Sequence, residues 1–89
     1  MPATGTVKVP DGKLIEVTLE ATDRIEDVRL TGDFFLEPPS ARADLEAAIA
    51  GHPTDVDRET LVEAIDGVDA RLIGFDADHL AAATLEAIP

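Results

Sequence analysis

The sequence predicts an α+β domain: a three-stranded antiparallel meander with about three helices packed on one face. Three observations carry this expectation. Apolar residues recur at every second position through most of the first third of the chain. The period changes to helical spacing after Pro38-Pro39. Gly51 with Pro53, and then Gly67, divide the rest of the chain into separate helices.

The first strand holds Val7 and Val9 and ends at the turn sequence Pro10-Asp11-Gly12. Ile15, Val17 and Leu19 then alternate with Glu16, Thr18 and Glu20, the pattern of a half-buried strand. Ala21-Thr22-Asp23 is the second turn. A third strand comes next, with Glu26, Val28, Leu30, Gly32 and Phe34 on one face. Ile25, Asp27, Arg29, Thr31, Asp33 and Phe35 take the other.

Ala41, Leu45, Ala48, Ile49 and His52 share one side of the first helix, and Ser40 is available as its cap. A second helix starts near Asp55 or Asp57, turns Leu61, Val62 and Ile65 inward, and stops at Gly67. Residues 68–73 read as irregular or extended, with Leu72 and Ile73 plugging the core. Asp76 is the N-cap candidate of a third helix, and Asp78 suits its first turn. That helix carries Leu80, Ala83, Leu85, Ala87 and Ile88. The whole chain, 1–89, reads as a single domain.

The stretch LTGDFFLEPP, residues 30–39, concentrates the scarce aromatics. The chain has three Phe and no Trp or Tyr, and two of the three stand together here. Adjacent residues on a strand point to opposite faces, so if the strand persists, Phe34 and Phe35 cannot enter one core. One anchors the sheet–helix interface; the other is left at a surface or edge, fit for docking a protein. The plainer alternative is a strand-to-helix corner with both rings packed locally. Gly32 permits close approach of a backbone or ligand, and Asp33 can turn the chain.

Composition narrows the function classes. There is no Cys, which removes disulfides, Cys-ligated zinc or iron–sulfur sites, and a cysteine nucleophile. No apolar run suggests a signal peptide or membrane span, so a cytoplasmic protein is the default. Nineteen acids against seven bases give a net charge of −12. Nucleic acid is then not an expected partner, because phosphate contacts need clustered Lys and Arg. The acids are scattered rather than gathered in a tail. Together with only two Lys, that pattern suits a halophile's surface: at about 1 M salt the Debye length is roughly 3 Å and self-repulsion is screened.

The segment KVPDGKLIEVTLEATDRIEDVRLTGDFFLEPP resembles the small accessory subunit of archaeal two-part lipoate–protein ligase, and equally the C-terminal domain of single-chain lipoate ligases. The matching positions are Gly12, Lys13, Ile25, Val28, Gly32, Asp33, Phe34 and Phe35. The closing LIGFDADHLAAATLEAI matches at Gly74 and Leu80. The resemblance implies a SufE/NifU-like fold, as in iron–sulfur scaffold proteins; the lack of Cys excludes the cluster-holding role. It implies a non-catalytic subunit that binds a larger catalytic one. ATP with Mg and lipoate would sit on that partner, which makes lipoyl-adenylate and passes the lipoyl group to a carrier protein. Gly32, Asp33, Phe34 and Phe35 would be the docking or structural motif. Gly12 and Lys13 would lie near the substrate, Lys13 as a cation reaching across the interface.

No residue set indicates independent catalysis, and none indicates a metal. His52 and His79 lack metal-ligand spacing, and each has a structural place at a helix end. Ser40 lies in no nucleophile elbow, and no phosphate-binding Gly-rich loop is present. For Lys13 the plain reading is a turn lysine paired with nearby acid. Two rival functions remain. A generic protein-binding adaptor would need no further motif. A lipoyl or biotinyl carrier would be modified at Lys13, but such carriers are all-β, and Lys13 stands between Gly12 and Leu14 rather than in the carrier signature.

Overall fold

A computed structural model describes residues 2–10 and 13–88. Its elements run β1 (Ala3–Lys8), β2 (Leu14–Ala21), β3 (Ile25–Gly32), β4 (Phe35–Glu37), α1 (Ala41–Ile49), α2 (Arg58–Asp66), β5 (Arg71–Ile73) and α3 (Ala77–Ala87). β1, β2 and β3 form the expected antiparallel meander. The helices cover one face of it and close a core built from Ile15, Val17, Leu19, Ile25 and Leu30 of the sheet. Leu45, Ile49, Leu61, Ile65 and Leu80 meet them from the helices. Each such burial is worth about 1.5–3 kcal/mol against exposure.

The third strand departs from the simple alternation. Thr18 pairs with Arg29, but Glu20 pairs with Glu26, so Leu19 opposes both Asp27 and Val28. This is a β-bulge, and Asp27 adopts the left-handed conformation at φ 51°. Asp tolerates that conformation better than most side chains, which incur about 1–2 kcal/mol in it. The extra residue shifts the phase of the strand. Ile25 and Leu30, expected on opposite faces, are both buried, while Arg29 and Glu26 are exposed. The open face carries Glu16, Thr18 and Glu20 of β2 between the buried Ile15, Val17 and Leu19.

The strand also ends earlier than its apolar pattern. β3 stops at Gly32, and Phe35 begins β4, which pairs antiparallel with β5 in a second, two-stranded sheet. The extended part of 68–73 is thus a strand; Leu72 and Ile73 are half-buried in it, and Leu72 packs against the core. Phe35 pairs with Ile73 and Glu37 with Arg71. The Glu37–Pro38 peptide is cis.

Helix ends agree with the sequence with one exception. Ser40 precedes α1 without making a side-chain cap; the N–H groups of Ala41, Arg42 and Ala43 donate instead to the carbonyls of Pro38, Pro39 and Ser40. Asp57 caps α2, accepting from the Thr60 N–H at 2.8 Å. The Thr60 hydroxyl, and then that N–H, hold the Asp57 carboxyl below its ordinary pKa. Asp76 caps α3 in a reciprocal box: its carboxylate accepts from the His79 N–H, and its own N–H donates to His79 Nδ1, both at 3.1 Å. At the end of α1, His52 Nε2 donates to the Ala48 carbonyl at 2.9 Å.

α3 lies so close to β1 that only Gly fits between them. A β-carbon at Gly5 would collide with the Ala83 carbonyl oxygen and the Ala87 backbone nitrogen. Those are backbone atoms and cannot swing aside. Gly5→Ala is expected to cost about 3 kcal/mol, the upper part of the usual overpacking range. Urea unfolding checks this; an unchanged midpoint would show that α3 is free to move off the sheet.

Candidate functional site

Three chain segments converge at one end of the sheet. The first is the β1–β2 connection. Val9 N–H donates to the Lys13 carbonyl at 2.8 Å, which places Lys13 just before β2. Asp11 and Gly12 lie outside the described residues, so the expected first turn and the Gly12 site position have no structural account. The second segment is Gly32 to Phe35. The Asp33 N–H donates to the Leu14 carbonyl at 3.0 Å, joining the end of β3 to the start of β2. Gly32 has φ 150°, and a β-carbon there would fall on that same Leu14 carbonyl. Glycine is thus required by both conformation and space. The third segment is Ile73 to Phe75, leaving β5 for α3.

The two adjacent rings part company here. Phe34 turns inward and packs on Phe75, with ring centroids 4.7 Å apart and planes tilted by 51°. Phe75 is in the core at 7% exposure. Phe35 turns outward and is 64% exposed, the more exposed of the two large apolar side chains at the surface among the described residues; the other, Leu14, lies at the same end of the sheet. Lys13 Nζ stands over the Phe35 ring, 5.5 Å from its centroid. The Lys13 stem runs across Gly74, where a β-carbon would lie 3.5 Å from it. Gly74 has φ 89°, so this floor too needs glycine.

Beside Phe35 an open groove of about 530 Å³ is lined by Thr31, Gly32, Phe34, Leu36, Pro39 and Arg42. Among the described residues no three His, Asp or Glu side chains are grouped to hold a metal. No helix there is long and apolar enough to cross a membrane. His52 and His79 sit at separate helix ends, both engaged with backbone. What this end of the molecule offers is a surface: an exposed ring, a cation laid over it, and a tightly turned glycine backbone.

The structure thus gathers Lys13, Gly32, Asp33, Phe34 and Phe35 in one place, with Gly74 among them. It separates Leu80, which is buried in the core. Asp33 contributes through its backbone N–H. Sequence reasoning missed Phe75 as the partner of Phe34, although a third Phe in an aromatic-poor chain was a usable signal. It also missed Arg42, whose place on the groove depends on the turn into α1.

An α+β domain with a surface site of this kind is the class that the geometry defines. Its fold is similar to a solved chain from an archaeal lipoylation system, described as a bi-partite lipoate protein ligase and its E2 lipoyl domain from Thermoplasma acidophilum. The TM-score is 0.75 at 24% identity, and 94% of each chain is covered. No protein-family model matches the sequence, and no curated protein does.

The split roles of the two rings give a direct test. Phe34→Ala is expected to destabilise the domain by about 2–4 kcal/mol, since a packed ring is lost. Phe35→Ala is expected to stay within about 0.5 kcal/mol of wild type, as exposed substitutions do. Thermal melts of both variants compare them, and equal losses would contradict the inward–outward division.

Proposed function

We propose that this chain is a non-catalytic accessory subunit of a two-part lipoate–protein ligase. It binds the catalytic subunit and supports formation of lipoyl-adenylate there. The observation that carries the reading is the fold correspondence with the archaeal lipoylation system, which spans 94% of both chains. The gathering of Lys13 and the Gly32–Phe35 segment at one end gives it further support, because the resemblance in sequence rests on those residues.

In this reading ATP, Mg and lipoate are held by the catalytic subunit, and lipoyl carrier proteins are met only indirectly. The exposed end docks on that subunit, orders its loops and excludes water while the adenylate forms. Lys13 then supplies a cation close to the anionic reactants. Neither nucleic acid nor membrane is a partner, and the working place is the cytoplasm. The scattered acids adapt the surface to a salt-rich interior.

Reconstitution tests the proposal. The catalytic subunit, a lipoyl carrier protein, ATP, Mg and lipoate are combined with and without this chain. Adenylate formation should depend on the chain, whose own mass should stay unchanged. A catalytic subunit equally active alone would overturn the reading. A lipoyl-sized mass increment on Lys13 would make this chain a carrier instead.

The surface charge carries its own test. With a net charge of −12, the domain should melt at progressively lower temperature as salt falls below about 0.5 M, where self-repulsion is less screened. Melts that do not change between low and high salt would remove the salt adaptation and leave the docking proposal untouched.

A further inference from the structure

We infer that the Phe35 end docks on a partner surface that combines an apolar socket with carboxylates around it. The inference rests on the accessory-subunit reading and adds the chemistry of the face that the partner must present.

The chain carries nineteen acids and seven bases. Of those bases, Arg24 donates to the Gly51 carbonyl and Arg58 pairs with Asp78. Lys8, Arg29 and Arg71 neither line the groove beside Phe35 nor lie over its ring; Lys13 and Arg42 are placed differently. Lys13 lies over the exposed Phe35 ring, and Arg42 lines the groove beside that ring. Among the described residues, neither makes an ion pair with a carboxylate. Two cations flank the chain's most exposed ring, and the carboxylates nearest to it in the chain, Asp33 and Glu37, are bridged to neither of them. A neutral or basic partner would leave Arg42, and Lys13 until the anionic reactants bind, without an opposite charge on burial, which is costly. A carboxylate rim pairs them, and the socket takes Phe35 out of water.

The geometry fits an anchored interface. A ring backed by packed structure, with an Arg beside it, is the usual composition of a binding hot spot. The site is also pre-ordered. Phe34 fixes the chain on Phe75, and Gly74 seats the Lys13 stem. A second copy of this chain is the weaker occupant. A two-fold contact places the same patch on both sides, so the cations would face one another.

Calorimetric titration of the purified catalytic ligase subunit tests this, with each variant first checked for folding by circular dichroism. Wild type should bind. Phe35→Ala should raise Kd about 30-fold or more. Lys13→Glu and Arg42→Glu should each weaken binding about 10-fold beyond Lys13→Met and Arg42→Met, because reversal adds repulsion where neutralisation only removes attraction. Arg58→Glu, on α2, makes the same charge change and should stay within about 3-fold of wild type. Reversals no worse than the neutral variants would overturn the carboxylate rim. Phe35→Ala binding as tightly as wild type would overturn the socket. Phe35-dependent dimers in sedimentation would make the occupant a second copy. A wild-type chain that fails to bind at all would sink the accessory-subunit reading, and this inference with it.

Discussion

The bulge at Asp27 sets the phase of the chain from the middle of β3 to the first Phe. Without the extra residue, Ile25 and Leu30 would fall on opposite faces of the sheet, and one of them would be exposed. With it, both are buried. The same phase brings Gly32 opposite Ile15 and lets the Asp33 N–H reach the Leu14 carbonyl. The end of β3 is thereby tied to the start of β2, and only then does the chain leave for Phe34. One residue in the left-handed region is a modest strain for that much placement.

The outer edge of β3 shows how the helical layer finishes the sheet. An unpaired edge is a template for unwanted pairing. Here the turn after α1 clamps the beginning of the strand: Ile25 N–H donates to the His52 carbonyl, and Gly51 N–H donates to the Ile25 carbonyl. Further along, the Leu30 N–H donates to the Glu46 carboxylate at 2.7 Å. α1 thus protects most of the edge and stops short of its last residues. Thr31 and Gly32 line the groove that also holds Phe35 and Arg42. The site is what remains of the edge where protection ends.

The fold class was legible because its signals were periodic. Ile15, Val17 and Leu19 alternate without interruption, and Asp57, Asp76, Gly51 and Gly67 punctuate the helices in the expected places. The facing of β3 was not legible. A bulge is invisible to a pattern that assumes one residue per step, and Asp27 carries no mark distinguishing it from the other acids. The β4–β5 pair was hidden for another reason. Each strand is three residues long, too short for a period, and their pairing joins positions far apart in the chain. Within the site, Lys13 and the Gly32–Phe35 run were visible in sequence. Phe75 and Arg42 join them only through tertiary contacts, and local spacing carries no record of those.

The two adjacent rings explain why an aromatic-poor chain places its aromatics here. Neighbours in an extended segment must point apart, so a Phe-Phe pair fixes one ring inside whenever the other is outside. Phe34 is held by Phe75, which sits in the core beside the start of α3. Phe35 cannot withdraw from the surface unless Phe34 leaves that contact. The exposed ring therefore stays out because its half-buried neighbour is more favourably packed, on Phe75. A single Phe at this place could rotate toward the core and hide. The pair converts packing energy into a fixed place for the exposed ring at the surface.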